Sequence, residues 1–352
     1  MKKRVNIKQF SGIRVIALYG IMLYHTNEFF HSDKLSFLFY PAAIGLYLCF
    51  IMSGFLYGCN HWDNINSYSI KDSVKLYLSK FKKFYPIHFI TFLLDAFIVW
   101  KYLSISSIFT LRELSKIVLN LLLLQVYIPD PDYYFSYNGV SWFLAITLLL
   151  YFFAPFFVWA LKKLDFDKNA YKIILGVVAL YLLVSIALGF NKYSVWILNN
   201  SPLHLFDFLI GIILGRIFYL KRQDNDEKSN INVLLVCTIM LIGIAADAIV
   251  IFATQNDMLM TVAASLASGL ILYGAANSKG IIAAALNNKV INFLSLFSLE
   301  LFMLHQIVGK YMMVVHNKFQ ISNLICYGIT VVVSIVASYV LHIIIKKMTP
   351  SL

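Results

Sequence analysis

A chain of 352 residues that is 60% hydrophobic and only 13% charged, with a mean hydropathy of +0.76, is too apolar for a soluble domain and reads as a polytopic membrane protein. The formal net charge of +12 does not mark a nucleic-acid binder, because the Lys and Arg residues are scattered over short loops, where membrane topology accounts for them. No polar stretch is long enough for a soluble domain, so residues 1–352 are expected to form one membrane domain with nothing soluble appended.

The start, Met1-Lys2-Lys3-Arg4, has the charge of a signal peptide, but the apolar run after it lacks a small-residue cleavage site and carries Arg14 and His25. It is read as a retained first span, 10–27. Arg14 and His25 are separated by about three helical turns and ~16 Å of rise, so they share nearly one helix face. Ionisable groups at membrane depth are costly and are functional candidates by default. A guanidinium forks onto phosphate oxygens. A neutral imidazole is a general base near pH 7 and takes a proton from a hydroxyl. A cytosolic donor with a phosphorylated head and a long arm would bridge the two, and acetyl-coenzyme A has that form; no metal is expected. The alternative is that Arg14 snorkels to the interface while His25 hydrogen-bonds a neighbouring helix. Spacing alone leaves both open.

The next span, 41–59, contains Ser53-Gly54, a small pair suited to close helix packing, with Ser53 facing a substrate tunnel as the sharper reading. No base neighbours Ser53 in sequence, so it is not read as a covalent nucleophile. A cytoplasmic loop follows with Lys71, Lys75, Lys80, Lys82 and Lys83. These meet anionic lipid or, for Lys82 and Lys83, stand beside Arg14 to hold the donor's phosphates. Pro86 is expected in the first turn of a span over 84–100.

The apolar run 115–127 is short for a span and leads into Pro129-Asp130-Pro131-Asp132. If it does not cross and the N-terminus is cytoplasmic, most loop Lys and Arg residues lie inside; if it crosses, most of them lie outside. The expected fold is therefore an all-α bundle of ten spans (10–27, 41–59, 84–100, 140–161, 173–190, 203–220, 231–252, 259–276, 291–313, 323–345) with both termini cytoplasmic. The run 115–127 becomes a short interfacial or re-entrant helix, shielded by protein or lining a cavity.

Trp142 opens the span 140–161, either as part of the aromatic belt or as a platform for a sugar ring, and the outer loop Asp130–Tyr137 is a candidate acceptor-facing surface. The polar stretch 221–230 is the expected flexible connector. Glu300 and His305 lie in the span 291–313; five residues turn a helix by about 140°, so they need not share a face. Asp95, Asp207 and Asp247 are further acids in apolar runs, and His204 and Asp207 are neighbours on one helix face. Cys49, Cys59, Cys237 and Cys326 show neither metal nor disulfide spacing and are read as packing residues.

Taken in order, these residues resemble acyltransferase family 3. Its arginine, ten residues and histidine correspond to Arg14 and His25, and its Ser-Gly-Phe-Leu step to Ser53–Leu56. Its basic residue before Tyr-Pro corresponds to Lys83-Phe84-Tyr85-Pro86, and its Trp-x-Leu…Tyr…Pro helix to Trp142, Leu144, Tyr151 and Pro155. Its late Leu-His step corresponds to Leu304-His305. Two departures stand out: Thr147 or Leu148 occupies the place of a glutamate found in many relatives. Ser201-Pro202-Leu203-His204, without an arginine, precedes Phe208 and Gly211. The resemblance implies a multi-pass O-acetyltransferase of the bacterial plasma membrane, acting from acetyl-coenzyme A on a sugar hydroxyl of a surface polysaccharide or glycolipid. It implies His25 as base; Arg14, Lys82, Lys83 and Tyr85 as donor-binding residues; and Ser53, Trp142, Glu300 and His305 around the acceptor. Expected partners are the glycan or glycolipid, membrane lipid and glycan-assembly proteins. The rival classes are a transporter of glycan precursors, with polar residues lining a path, and an assembly factor.

Overall fold

The computed structural model describes residues 5–31, 44–102, 108–189, 203–224 and 257–349. Regular secondary structure among them is entirely helical. Apolar runs of this length dictate that outcome, because a helix satisfies its own backbone polar groups where water is absent. The helices are α1 (Phe10–Phe30), α2 (Ile44–His61), α3 (Ile70–Tyr102), α4 (Leu111–Leu121), α5 (Trp142–Lys163), α6 (Phe166–Gly189) and α7 (Leu203–Asp224). Then come α8 (Asp257–Asn277), α9 (Gly280–Leu286), α10 (Lys289–Leu296), α11 (Ser298–Phe319) and α12 (Asn323–Met348).

Five described stretches are long and apolar enough to cross a membrane: Ile44–Asn64, Ile70–Lys101, Gly139–Lys163, Leu203–Arg222 and Asn323–Met348. The pair Thr261–Asn277 and Gly280–Leu296, bent by 109°, adds a sixth if it is one broken span. The stretches 10–27, 173–190 and 291–313 are helical without reaching that standard. The first carries Arg14 and His25, and the third breaks at Phe297, between α10 and α11. The expected span 231–252, with Cys237 and Asp247, lies outside the described residues, as does the connector from residue 225 onward.

Three local expectations are corrected. The lysine-rich loop is helix: α3 begins at Ile70, so Lys71 to Lys83 ride on its first half and Pro86 lies in its interior. Nothing between Ser69 and Tyr85 breaks a helix, and Pro86 removes one backbone donor without ending the run. The cytoplasmic loop expected over 277–290 has the helix α9 at its centre, entered through Gly280 at φ +60°, a left-handed turn that glycine adopts without strain. The short helix near 115–127 is present but shifted, as α4 over 111–121. Its start is set by Thr110, whose Oγ1 accepts from the Glu113 backbone N–H at 3.3 Å.

Backbone contacts divide the chain into two compact units. One comprises Met1–Arg14, Leu46–Tyr77 and Leu149–Asn292. In it α2 and α7 pack backbone to backbone: a Cβ on Gly54 or Gly58 would strike the Phe208 or Ile212 carbonyl, and a Cβ on Gly211 or Gly215 those of Ile51 and Phe55. Two Gly-x-x-x-Gly faces thus meet, a device that lets helices approach closely where dispersion rather than the hydrophobic effect drives association. Gly58→Leu is expected to cost at least about 1–3 kcal/mol by overpacking, read as a lowered Tm in detergent; a wild-type Tm would refute the close approach.

The other unit comprises Val15–Gly45, Leu78–Leu148 and Phe293–Leu352. Its main pair is α11 with α12. The buried stripe Cys326, Thr330, Ser334 and Ser338 on α12 permits close packing, while Val332, Val336 and Val340 are exposed, as a lipid-facing side requires.

Candidate functional site

In the second unit α1 carries His25, whose Nδ1 lies 2.7 Å from Glu28 Oε2 one helical turn on. The imidazole ring sits 5.3 Å from the His305 ring of α11, with the planes at 30°, and also 5.3 Å from Tyr24. His305 is buried, and its Nδ1 lies 3.2 Å from the Leu301 carbonyl. Its Nε2 is buried and has no hydrogen-bond partner among the described residues. Two residues singled out from sequence are thus neighbours across two helices, although 280 positions separate their numbers.

Glu300 turns to a different neighbour: His342 Nδ1 on α12 lies 2.8 Å from its Oε1. The expectation that Glu300 and His305 need not share a face holds in the sense that each engages a different helix. His342 was passed over in the sequence because it lies near the end of the last apolar run, where a histidine reads as interfacial. Trp142 is buried, with the Tyr134 ring 5.9 Å away. Tyr85 lies in an aromatic row along α3, stacked between Phe81 and Phe89. Lys82 and Lys83 are exposed on the same helix.

A polar network that the sequence did not signal lies in this unit. Lys310 Nζ donates to both oxygens of the buried Asp95 at 2.9 and 2.8 Å and to the Tyr137 carbonyl at 3.0 Å. The Tyr137 hydroxyl donates to Glu113 on α4 at 2.8 Å, and Trp100 donates to that hydroxyl at 3.3 Å. Burial pushes the Tyr137 phenol above its ordinary value, and the Glu113 carboxylate acts in the same direction, so the proton stays on the donor. The network ties α3, α4 and α11 together. Asp130 and Asp132, in the segment between α4 and α5, are engaged by Arg112 at 3.1 and 3.0 Å.

In the first unit Arg14 is half-buried on α1. The Ser53 hydroxyl donates back to the Cys49 carbonyl at 2.9 Å, the usual behaviour of a helical serine facing its neighbours. His204 Nδ1 lies 2.7 Å from Asp207 Oδ2, and the Tyr181 hydroxyl donates to Asp207 Oδ1 at 3.0 Å, all three being buried. Arg216 is clamped by Asp167 and Asp63 and lies over the Trp62 ring. A cavity of about 400 Å³ opens beside the segment that leads into α1, lined by Lys8, Arg222, Asn6, Gln9 and Asn287 and by no carboxylate. Cys49, Cys59 and Cys326 are free and buried.

Apolar helices of spanning length that carry histidine–carboxylate pairs define a multi-pass membrane protein with acid–base groups. The chain belongs to acyltransferase family 3: the family's acyltransferase domain matches residues 7–343. It is similar to the acyltransferase MdmB of Streptomyces mycarofaciens, 23% identical over 232 residues that cover 60% of this chain and 58% of that protein. The chain therefore spans less than two thirds of that relative's length. No solved structure matches it.

Proposed function

We propose that the protein is a membrane O-acyltransferase that moves an acetyl group from acetyl-coenzyme A to a sugar hydroxyl of a cell-surface polysaccharide or glycolipid precursor. Its setting in this reading is a bacterial plasma membrane, crossed ten times by one acyltransferase domain with both termini in the cytoplasm. The observation that carries the reading is His25, bound to a carboxylate and set beside the His305 ring, in a chain of this family. His25 takes the proton from the acceptor hydroxyl as its oxygen attacks the thioester carbonyl. The C–S bond breaks, and the thiolate leaves with that proton as free coenzyme A. Arg14, on the same helix, holds phosphate at the donor's head, with Lys82, Lys83 and Tyr85 as further donor contacts. Lys8 and Arg222 supply cations to a cavity of suitable size for part of that head. Trp142, Glu300 and His305 are the acceptor contacts of this reading within the second unit, and glycan-assembly proteins are the expected neighbours.

Purified protein in vesicles, given acetyl-coenzyme A labelled in the acetyl group together with glycan, is expected to place label on the glycan. Glycan movement across the vesicle without label on it would make the protein a transporter instead. Arg14→Ala is expected to raise KM for the donor by roughly 10–100-fold, the worth of one charge-assisted phosphate contact at about 1.5–3 kcal/mol. An unchanged KM for the donor would remove Arg14 from the donor site.

A further inference from the structure

Glu28 has no part in the motif that marks this family in the sequence, yet its Oε2 lies 2.7 Å from His25 Nδ1. An ionised carboxylate only accepts hydrogen bonds, so the bridging proton belongs to the imidazole Nδ1. A neutral His25 held this way keeps its lone pair on Nε2. The Glu28 side chain is 52% exposed, so it keeps its charge at little desolvation cost, whereas the His25 side chain is 25% exposed. His305 is fixed in the same sense: a carbonyl also only accepts, so Nδ1–H points at Leu301, and the lone pair falls on the buried Nε2 that has no partner among the described residues. A buried acceptor left unmatched is costly, and that cost is recovered when a ligand donates to it.

We propose that Glu28 is the positioning carboxylate of this site. It locks His25 in the Nδ1–H form so that Nε2 is the base, while His305 Nε2 accepts from a second hydroxyl of the acceptor. The inference rests on the reading of His25 as base and adds a substrate class: an acceptor with a hydroxyl adjacent to the one acylated, a vicinal diol. Such a diol offers one hydrogen to each imidazole. Ring centroids 5.3 Å apart set the two imidazoles at a spacing comparable to that of two hydroxyls on adjacent carbons with their hydrogen bonds. The titratable groups beside His25 are Tyr24 and Glu28 from its own helix and His305 from α11, and His31 acts on Glu28.

The test compares Glu28→Ala, Glu28→Gln and Glu28→Asp with wild type and with His25→Ala, in labelled acetyl transfer measured across pH at matched amounts of folded protein. Glu28→Ala is expected to lose about 100-fold in kcat with KM for the donor unchanged. Glu28→Gln, which still accepts from Nδ1–H but lacks charge, is expected to lose about 10-fold, with the acidic limb of the profile, where the base is protonated, shifted to lower pH. Glu28→Asp is expected to recover most of the activity. Nitrogen-15 spectra of His25 are expected to show the Nδ1–H form in wild type and a mixture of tautomers in Glu28→Ala. Acceptors lacking the adjacent hydroxyl are expected to lose at least 10-fold in kcat/KM in wild type but little in His305→Ala. Wild-type kcat and pH profile in Glu28→Ala beside an inactive His25→Ala would overturn the role of Glu28 alone. Full activity in both variants would overturn the base itself. Equal turnover of diol and lone-hydroxyl acceptors would overturn the substrate class.

Discussion

His25→Ala is expected to lower acetyl transfer by about 10²–10⁴-fold, the range that a positioned general base contributes. The protein is expected to insert and fold as before. Among the described residues its ring bonds to Glu28, which is half exposed and can turn to water, so the substitution leaves no buried charge unmatched. The His305 ring loses a neighbour but keeps its bond to Leu301. In a strain whose other acyltransferases of this kind have been deleted, mass analysis of the surface glycan should show the acyl mass in the parent and not in the variant. Full acylation by the variant would show that the proton leaves the hydroxyl by another route.

The second large effect concerns stability. Asp95 is fully buried, and its two oxygens meet the Lys310 ammonium at 2.9 and 2.8 Å. Lys310→Met removes the cation and leaves the carboxylate in an apolar interior, which costs about 3–5 kcal/mol when a buried pair is broken on one side. The Lys310 side chain is 32% exposed, which places the effect toward the lower end of that range. The Tyr137 carbonyl loses a donor in the same change, so the loop that leads into α5 loosens as well. Asp95→Asn combined with Lys310→Met should recover most of the loss, because the neutral pair carries no uncompensated charge. Melting of both variants in detergent measures it. A Tm for Lys310→Met equal to wild type, or a double variant no better than the single, would show that the pair carries no such weight.

Much of the architecture was legible in the chain. The runs over 84–100, 140–161, 203–220 and 323–345, and the run 41–59 from Ile44 onward, lie in helices of spanning length because apolar composition over some twenty residues leaves the backbone one economical conformation. The boundary at α3 was not legible. Five lysines read as a loop, yet they lie on the first half of a 33-residue helix, since lysine favours helix and its charge says only which residues face water. The break at Phe297 was hidden for a related reason: hydropathy is blind to where a long apolar run bends.

The site divides along the same line. Arg14 and His25 were marked because they are eleven residues apart on one helix, a relation that helical geometry fixes without any neighbour. Glu28 was within reach of the same rule, at one turn beyond His25, and was not weighed because it follows the span rather than lying inside it. The partners of His305, Glu300 and Asp95 were beyond any such rule. Each comes from another helix: His25 of α1, His342 of α12 and Lys310 of α11.

The amino-acid order alone determined that this chain is helical and apolar, that it carries ionisable groups at depth, and that it has the spaced motifs of its family, because these depend on composition and on the fixed pitch of the α-helix. Only the tertiary structure decided which carboxylate holds which base and which glycines let α2 meet α7. Side-chain pairing between helices depends on their rotation and axial offset, and those are set by packing rather than by any residue's place in the sequence.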